Sequence, residues 1–267
     1  MQTNNTSKKT KSISRGPVKD ILGLSQPIVA MAKEFPSGHT IASHQHTRAQ
    51  LLYSSSGVMT VETESGIWVV PPLRAVWIPA YTHHQIRTSG QLSMRTLYID
   101  PKFFPDSPHG CCVIVVSALL RELILHAVAM PLIYPAKGPE ERLLLVILDQ
   151  IRSVSITPLE LPIPEDTRLK KIYKSLSENP GDNRILEDWG KMVGATGRTL
   201  ARHFRSETGM SFGQWRQQIR ILEALRRLSL KEPVTTVAIE LGYYSTSAFI
   251  SMFKRALGKT PGQYFAE

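Results

Sequence analysis

From residue 27 to about 100 the apolar positions come in short alternating runs. Examples are Gln50-Leu51-Leu52-Tyr53, Val58-Met59-Thr60-Val61-Glu62, Ile67-Trp68-Val69-Val70 and Arg74-Ala75-Val76-Trp77-Ile78. β-Branched and aromatic residues at period two, broken by Gly, Pro and Ser, predict an antiparallel barrel or sandwich. From about 111 to 152 the period lengthens to that of a helix. Leu119, Leu120, Leu123 and Ile124 form one stripe and Leu143, Leu144, Ile147, Leu148 and Ile151 another, with Pro131 and Pro135 between them. Residues 111–152 are therefore expected to form a helical hairpin. Residues 153–165 carry three prolines and no helical period, the composition of an interdomain linker. The period is helical again over 166–267. The expected fold class is multidomain α and β: an antiparallel β-barrel over 21–110, the hairpin, and an all-α C-terminal unit.

That last unit contains an internal repeat at a spacing of 48 to 49 residues. Gly190 corresponds to Ala238, Gly194 to Gly242, Thr196 to Ser245, Leu200 to Phe249, Phe204 to Phe253 and Gly209 to Gly258. Each copy predicts a short helix, a glycine-marked turn, a capping hydroxyl and a second helix, which is a helix-turn-helix. Between the copies, Ser211 and Gln214 have capping-box form and start a helix whose apolar stripe is Trp215, Ile219, Leu222, Leu225 and Leu228. Helical phase separates core from contact. Leu200 and Phe204 share the buried face, leaving Arg198, Arg202 and Arg205 nearly opposite. In the second copy Thr246, Ser247, Ile250, Ser251 and Lys254 lie off the core stripe of Phe249, Phe253, Ala256 and Leu257.

Charge changes the picture once it is divided. Residues 1–20 carry a net +4, residues 21–167 a net −2 and residues 168–267 a net +8. The basic tail reads as disordered. The basic helical unit points to a polyanion, and three guanidiniums on the second helix of a helix-turn-helix are placed for phosphates and guanine edges. No apolar run approaches a membrane span, the tail has no apolar signal core, and two adjacent cysteines, Cys111 and Cys112, suit a reducing cytoplasm rather than a disulfide.

Residues 194–209 (GATGRTLARHFRSETG), together with 238–255 (AIELGYYSTSAFISMFKR) and 258–264 (GKTPGQY), resemble the DNA-binding domain of AraC/XylS-type transcription regulators. The resemblance spans roughly residues 168–265. It implies two recognition helices entering successive major-groove segments about one turn apart. Its base-reading places fall on Arg198, Ala201 and Arg202, then on Thr246, Ser247, Ile250 and Ser251. Ala201 departs from the polar residue often found there and contributes shape. Tyr243 and Tyr244 depart from the usual residues of the second turn. The resemblance also implies promoter DNA and RNA polymerase as partners, and a homodimer paired through the segment at 111–152; the same hairpin could instead cover one face of its own barrel.

The N-terminal half has spacing similar to that of the cupins. Gly38-x5-His44-x-His46-x3-Gln50-x6-Gly57 follows the first cupin motif, with Gln50 in the place of Glu. Pro79 through His84 follows the second, with Tyr81 in the place of Gly. In metal-binding cupins the corresponding residues converge on a divalent cation, which makes His44, His46 and His84, with neutral Gln50, the candidate ligands. Alternation sends His83 to the opposite face. An organic effector lined by Tyr53, Trp68, Trp77 and Tyr98 is the alternative sensor. No phosphate-binding glycine loop or nucleophile–base arrangement calls for an enzyme or a required cofactor. The rival reading is a metal-dependent cupin enzyme fused to a DNA-targeting module.

Overall fold

The structure, a computed structural model, describes residues 22–154, 156–157 and 159–265. The basic tail at 1–20 lies outside them. The strands are β1 (Ile28–Phe35), β2 (Thr40–His44), β3 (Ala49–Glu62), β4 (Gly66–Val70), β5 (Arg74–Ile78), β6 (His84–Ile99), β7 (Cys112–Val115), β8 (Ile156–Thr157) and β9 (Glu160–Pro162). All their pairings are antiparallel. The long strands β3 and β6 pair along most of their length, from Ala49 opposite Ile99 to Glu62 opposite Gln85. Their register slips between Ser54 and Val58, and a bulge there bends both strands. Gly57 occupies this bend at φ +76°, where a Cβ would lie 2.6 Å from the Gln91 carbonyl oxygen, so only glycine fits.

Below the bend one arm runs β1-β6-β3-β5-β7-β8; above it β2 joins β6, and β4 links β3 to β9. Among the described residues the hydrogen-bonded path stays open at both ends. The domain is thus a bent, cupin-like jelly roll rather than the closed barrel expected, because the bulge folds the sheet over instead of joining its edges.

Helices α1 (Ala118–Ala129) and α2 (Pro139–Ser153) cover one face of the lower arm. Leu120, Ile124, Leu144, Ile147 and Leu148 pack there with Leu51, Tyr53, Trp77 and Leu97. The helical segment is shorter than its period suggested: residues 112–115 are strand β7, paired with β5. Val113, Ile114, Val115 and Val116 are β-branched and favour a strand; the helix begins only after Ser117, whose hydroxyl accepts from the Leu120 amide. The linker expectation also changes. β8 and β9 lie inside 153–165 and pair with β7 and β4, while Leu159 and Leu161 are buried. The segment is stitched into the sheet.

The C-terminal unit contains α3 (Thr167–Glu178), α4 (Leu186–Val193), α5 (Gly197–Thr208), α6 (Phe212–Ser229), α7 (Val234–Glu240), α8 (Thr246–Leu257) and α9 (Pro261–Phe265). Helices α4–α5 and α7–α8 are the two helix-turn-helix units. The capping box of Ser211 and Gln214 forms as expected, and Gly194, Gly209 and Gly258 close α4, α5 and α8 in the left-handed conformation.

One apolar cluster runs without a break from Val61, Trp68, Ile86 and Leu161 of the sheet to Leu169, Trp215, Ile219 and Leu222 of the helices. The Trp215 indole N–H donates to the Pro162 carbonyl at 3.0 Å. The two halves therefore share a core, and they are expected to unfold in one transition, followed by circular dichroism in the sheet and helix regions. Trp215→Ala should lower stability by about 3–5 kcal/mol in urea titration. A loss below about 1 kcal/mol would mean that the seam is not packed to the density of a core.

Candidate DNA interface and sensor centre

Each recognition helix is positioned by a hydroxyl cap and two buried side chains. Thr196 accepts from the Thr199 amide and Ser245 from the Ala248 amide, both at 3.2 Å. Leu200, Phe204, Phe249 and Phe253 are fully buried. This phase leaves Arg198, Ala201, Arg202 and Arg205 exposed on α5, and Ser247, Ser251 and Lys254 exposed on α8, with Thr246 and Ile250 half-buried beside them. Among the described residues no carboxylate forms an ion pair with Arg198, Arg202 or Arg205. Arg205 instead turns toward the end of its own helix, 3.5 Å from the Gly209 carbonyl oxygen. Tyr244, in the turn before α8, is fully exposed.

The sequence reading missed Arg220. Its guanidinium is buried on α6 and donates to the Pro180 carbonyl at 2.8 Å, the Asp182 carbonyl at 3.1 Å and Asn183 Oδ1 at 2.9 Å. It also lies over the Tyr243 ring, 5.5 Å from its centroid. One cation thus ties the loop before α4 to the turn between α7 and α8. Gly242 makes room for this junction: at φ +77° a Cβ would sit 2.5 Å from the Gly181 carbonyl oxygen and 3.1 Å from the Arg220 guanidinium. The available signal was an arginine next to the apolar stripe of α6.

In the other half, β2 ends at His44, β6 begins at His84, and the two are register partners. His46 follows in the turn. The candidate ligand nitrogens of the three lie within 4.8 Å of one another. Each Nδ1 is within hydrogen-bond distance of a backbone carbonyl: Ala42 at 2.9 Å for His44, Arg48 at 2.5 Å for His46 and Thr82 at 2.8 Å for His84. Nδ1–H donating to a carbonyl leaves the Nε2 lone pair free, as in histidines that bind metal. His84 Nε2 is buried without a partner. Gln50 Oε1 lies 3.0 Å from His46 Nε2, and the Gln50 amide donates to Thr96 Oγ1 at 2.9 Å. With its Nδ1 proton committed, His46 meets Gln50 acceptor to acceptor. A cation between them resolves this, as does rotation of the amide. Burial lowers the pKa of His46 and pushes His84 down to about 4, so both rings are neutral at pH 7. The donor set of three imidazoles and an amide oxygen fits a borderline divalent metal. His83 is exposed, away from the cluster.

The four aromatic residues expected to line an effector pocket do not meet. Tyr53 and Trp77 pack beneath α1 and α2, Trp68 belongs to the seam, and Tyr98 packs with Val29 and Met31, edge-on to His46 at 5.2 Å. All four are core side chains: strand alternation sends them to different faces of a bent sheet. Burial pushes the thiols of Cys111 and Cys112 up to about 12 and about 11, which keeps them protonated and apolar in character. Among the described residues no helix is long and apolar enough to cross a membrane.

A capped pair of helix-turn-helix units packed against a cupin-like sheet defines a DNA-binding regulator with a sensor domain. Residues 189–267 match the helix-turn-helix domain family and residues 29–127 the AraC-like ligand binding domain. The chain is 36% identical to the HTH-type transcriptional regulator NimR of Escherichia coli, over 84% of its own length and 81% of that protein's. It is 32% identical to the HTH-type transcriptional regulator RipA of Corynebacterium glutamicum over 39% of this chain and 31% of RipA. Among solved structures, ToxT of Vibrio cholerae aligns over 90% of this chain and 98% of its own at 12% identity, with a TM-score of 0.38. The chain belongs to the AraC family of transcription regulators, with a ligand-binding N-terminal domain and a DNA-binding C-terminal domain.

Arg220→Met should leave three oxygens without their donor. The expected cost is about 1–3 kcal/mol of stability, read by urea unfolding, with a weakening of specific DNA binding read by fluorescence anisotropy. Unchanged values in both assays would show that the two units are held in place without this arginine.

Proposed function

We propose that the chain is a cytoplasmic, homodimeric regulator that binds a promoter operator and acts on RNA polymerase according to whether a divalent metal is held by His44, His46 and His84, with Gln50 Oε1 as fourth donor. The observation that carries the sensor reading is the buried, unpartnered His84 Nε2 beside two other imidazoles whose Nδ1 atoms face carbonyls. A metal held there would bridge the end of β2, the turn after it and the start of β6 through the three imidazoles.

In this reading Arg198 and Arg202 reach base edges, Ala201 contributes shape, and Arg205 and Lys254 meet phosphates. Thr246, Ser247, Ile250 and Ser251 offer short side chains suited to the backbone and thymine methyl groups. Exposed, unpaired Arg198 and Arg202 support this, as do two recognition helices set on one connecting helix. Leu119 on α1 and Leu145 and Val146 on α2 are exposed apolar residues; they support pairing of subunits through the hairpin, which doubles the phosphate contacts and steepens the salt dependence.

The test is genomic-fragment selection with the purified chain, repeated with chelator and with added zinc or nickel. One enriched site is expected, with an affinity that changes on chelation and a response lost in His84→Ala. Arg202→Ala should weaken the enriched site by about 1–3 kcal/mol and relax one base position. If affinity falls equally on scrambled DNA, Arg202 contacts only phosphate. Binding indifferent to chelator and to both metals would remove the histidines from the sensor.

A further inference from the structure

A cleft of roughly 460 Å3 opens between the upper arm of the sheet and the helices beneath it, a volume within the range of small-molecule sites. It opens to solvent beside the shared core, whose Val69, Leu161, Ile219 and Leu222 form its apolar wall. Both halves of the chain build it. Val69 and Leu161 come from the sheet, Tyr173 and Ser177 from α3, and Leu222 from α6. It shares no lining residue with the histidine cluster.

The chemistry of its walls restricts the occupant. One ion pair stands on each side: Arg87 with Glu62 at 3.4 Å on the sheet, and Arg226 with Glu223 at 2.6 Å on α6. Two cations and two carboxylates leave no net charge. An anionic ligand would face both carboxylates and a cationic one both guanidiniums, and either would have to break an existing pair. Burial raises the Tyr173 hydroxyl above its usual pKa, so it keeps its proton. With Thr60 on the opposite wall it offers neutral hydrogen-bonding groups over an aliphatic floor.

We propose that this cleft binds an uncharged amphipathic small molecule, with an apolar body and one or two hydrogen-bonding groups, and that its occupancy sets the tilt of α6 against the sheet. Because α6 connects the two helix-turn-helix units, a ligand that touches both walls favours one placement of the recognition helices over others, and operator affinity changes with it. This effector site is separate from the metal reading and does not depend on it.

The probe is N-phenyl-1-naphthylamine, uncharged, compared with 1-anilinonaphthalene-8-sulfonate, which has the same rings and a negative charge. Fluorescence titration of the full chain should show one saturable site for the uncharged probe and at least tenfold weaker binding of the sulfonate. Leu222→Trp and Ser177→Trp fill the cleft from different helices, and each should weaken the uncharged probe at least tenfold. Ser177 is exposed, so its variant keeps the test valid if the Leu222 variant fails to fold. With chelator present, so that neither chain holds metal, His84→Ala should leave probe binding unchanged. On the site recovered by fragment selection, saturating probe should change affinity at least threefold in the wild type and not in Ser177→Trp. Absence of saturable binding, equal or tighter binding of the sulfonate, or indifference to both tryptophans overturns the site. Binding without any change in operator affinity overturns the coupling. Loss of the chelator response alone would sink the metal reading and leave this one standing.

Discussion

Trp215 is the contact on which the arrangement of the two halves turns. Its fully buried ring lies 5.1 Å from Phe204 of the first recognition helix and 6.0 Å from Tyr173 of α3. Its N–H holds the Pro162 carbonyl at the end of β9. Sensor sheet, connecting segment, first recognition helix and central helix thus meet on one side chain. A hydrogen bond buried in an apolar seam is costly to break without replacement. The seam therefore resists sliding.

The C-terminal unit was legible because its signals are local. A glycine in the left-handed region, a hydroxyl cap and a phenylalanine four residues after an apolar partner each act within one or two turns, and their recurrence after 48 to 49 residues gave both units. The sensor domain was legible in class but not in closure. Alternation predicts strands; whether a sheet closes depends on pairing between residues far apart, such as Ala49 with Ile99. Residues 112–115 were misread because a short apolar run carries no period, and the β-branched Val113 to Val116 should have decided for a strand. The prolines at 153–165 suggested a free linker, yet Leu159 and Leu161 between them are buried. The seam itself was hidden. The stripe drawn on α6 named one face, while Phe212, Ile221 and Ala224 bury others, and a helix apolar on several faces is one packed on several sides.

Charge was informative in sum and misleading in detail. The net +8 of residues 168–267 pointed to a polyanion partner. Several of the arginines behind that sum are already engaged within the chain. Arg168 pairs with Asp166, Arg184 with Asp182, Arg226 with Glu223, and Arg227 with both Glu232 and Glu240, while Arg220 is buried. Exposed pairs of this kind add little stability, but they fix where the guanidiniums point. Arg198, Arg202 and Arg205 on α5 are among the cations that no carboxylate engages in the described residues.

The histidine cluster and the seam cleft have one structural element in common. His44 and His84 sit at one end of the β2–β6 pair, and Thr40 and Arg87, register partners on the same two strands, line the cleft. The pairing between them is irregular from Ile41 to His44, so the histidine end of β2 is less rigidly set than an ideal ladder would make it. A cation gathering the imidazoles would draw this end of β2 onto β6, and an occupant of the cleft would bear on the same strands from the other end. Two ligands acting on one deformable pair would be thermodynamically linked, and whatever factor one applied to the affinity of the other would be returned in full. That reciprocity needs no separate pathway through the core. It would follow from the sequence placing both chemistries on β2 and β6, of which β6 also touches the helix between the recognition units.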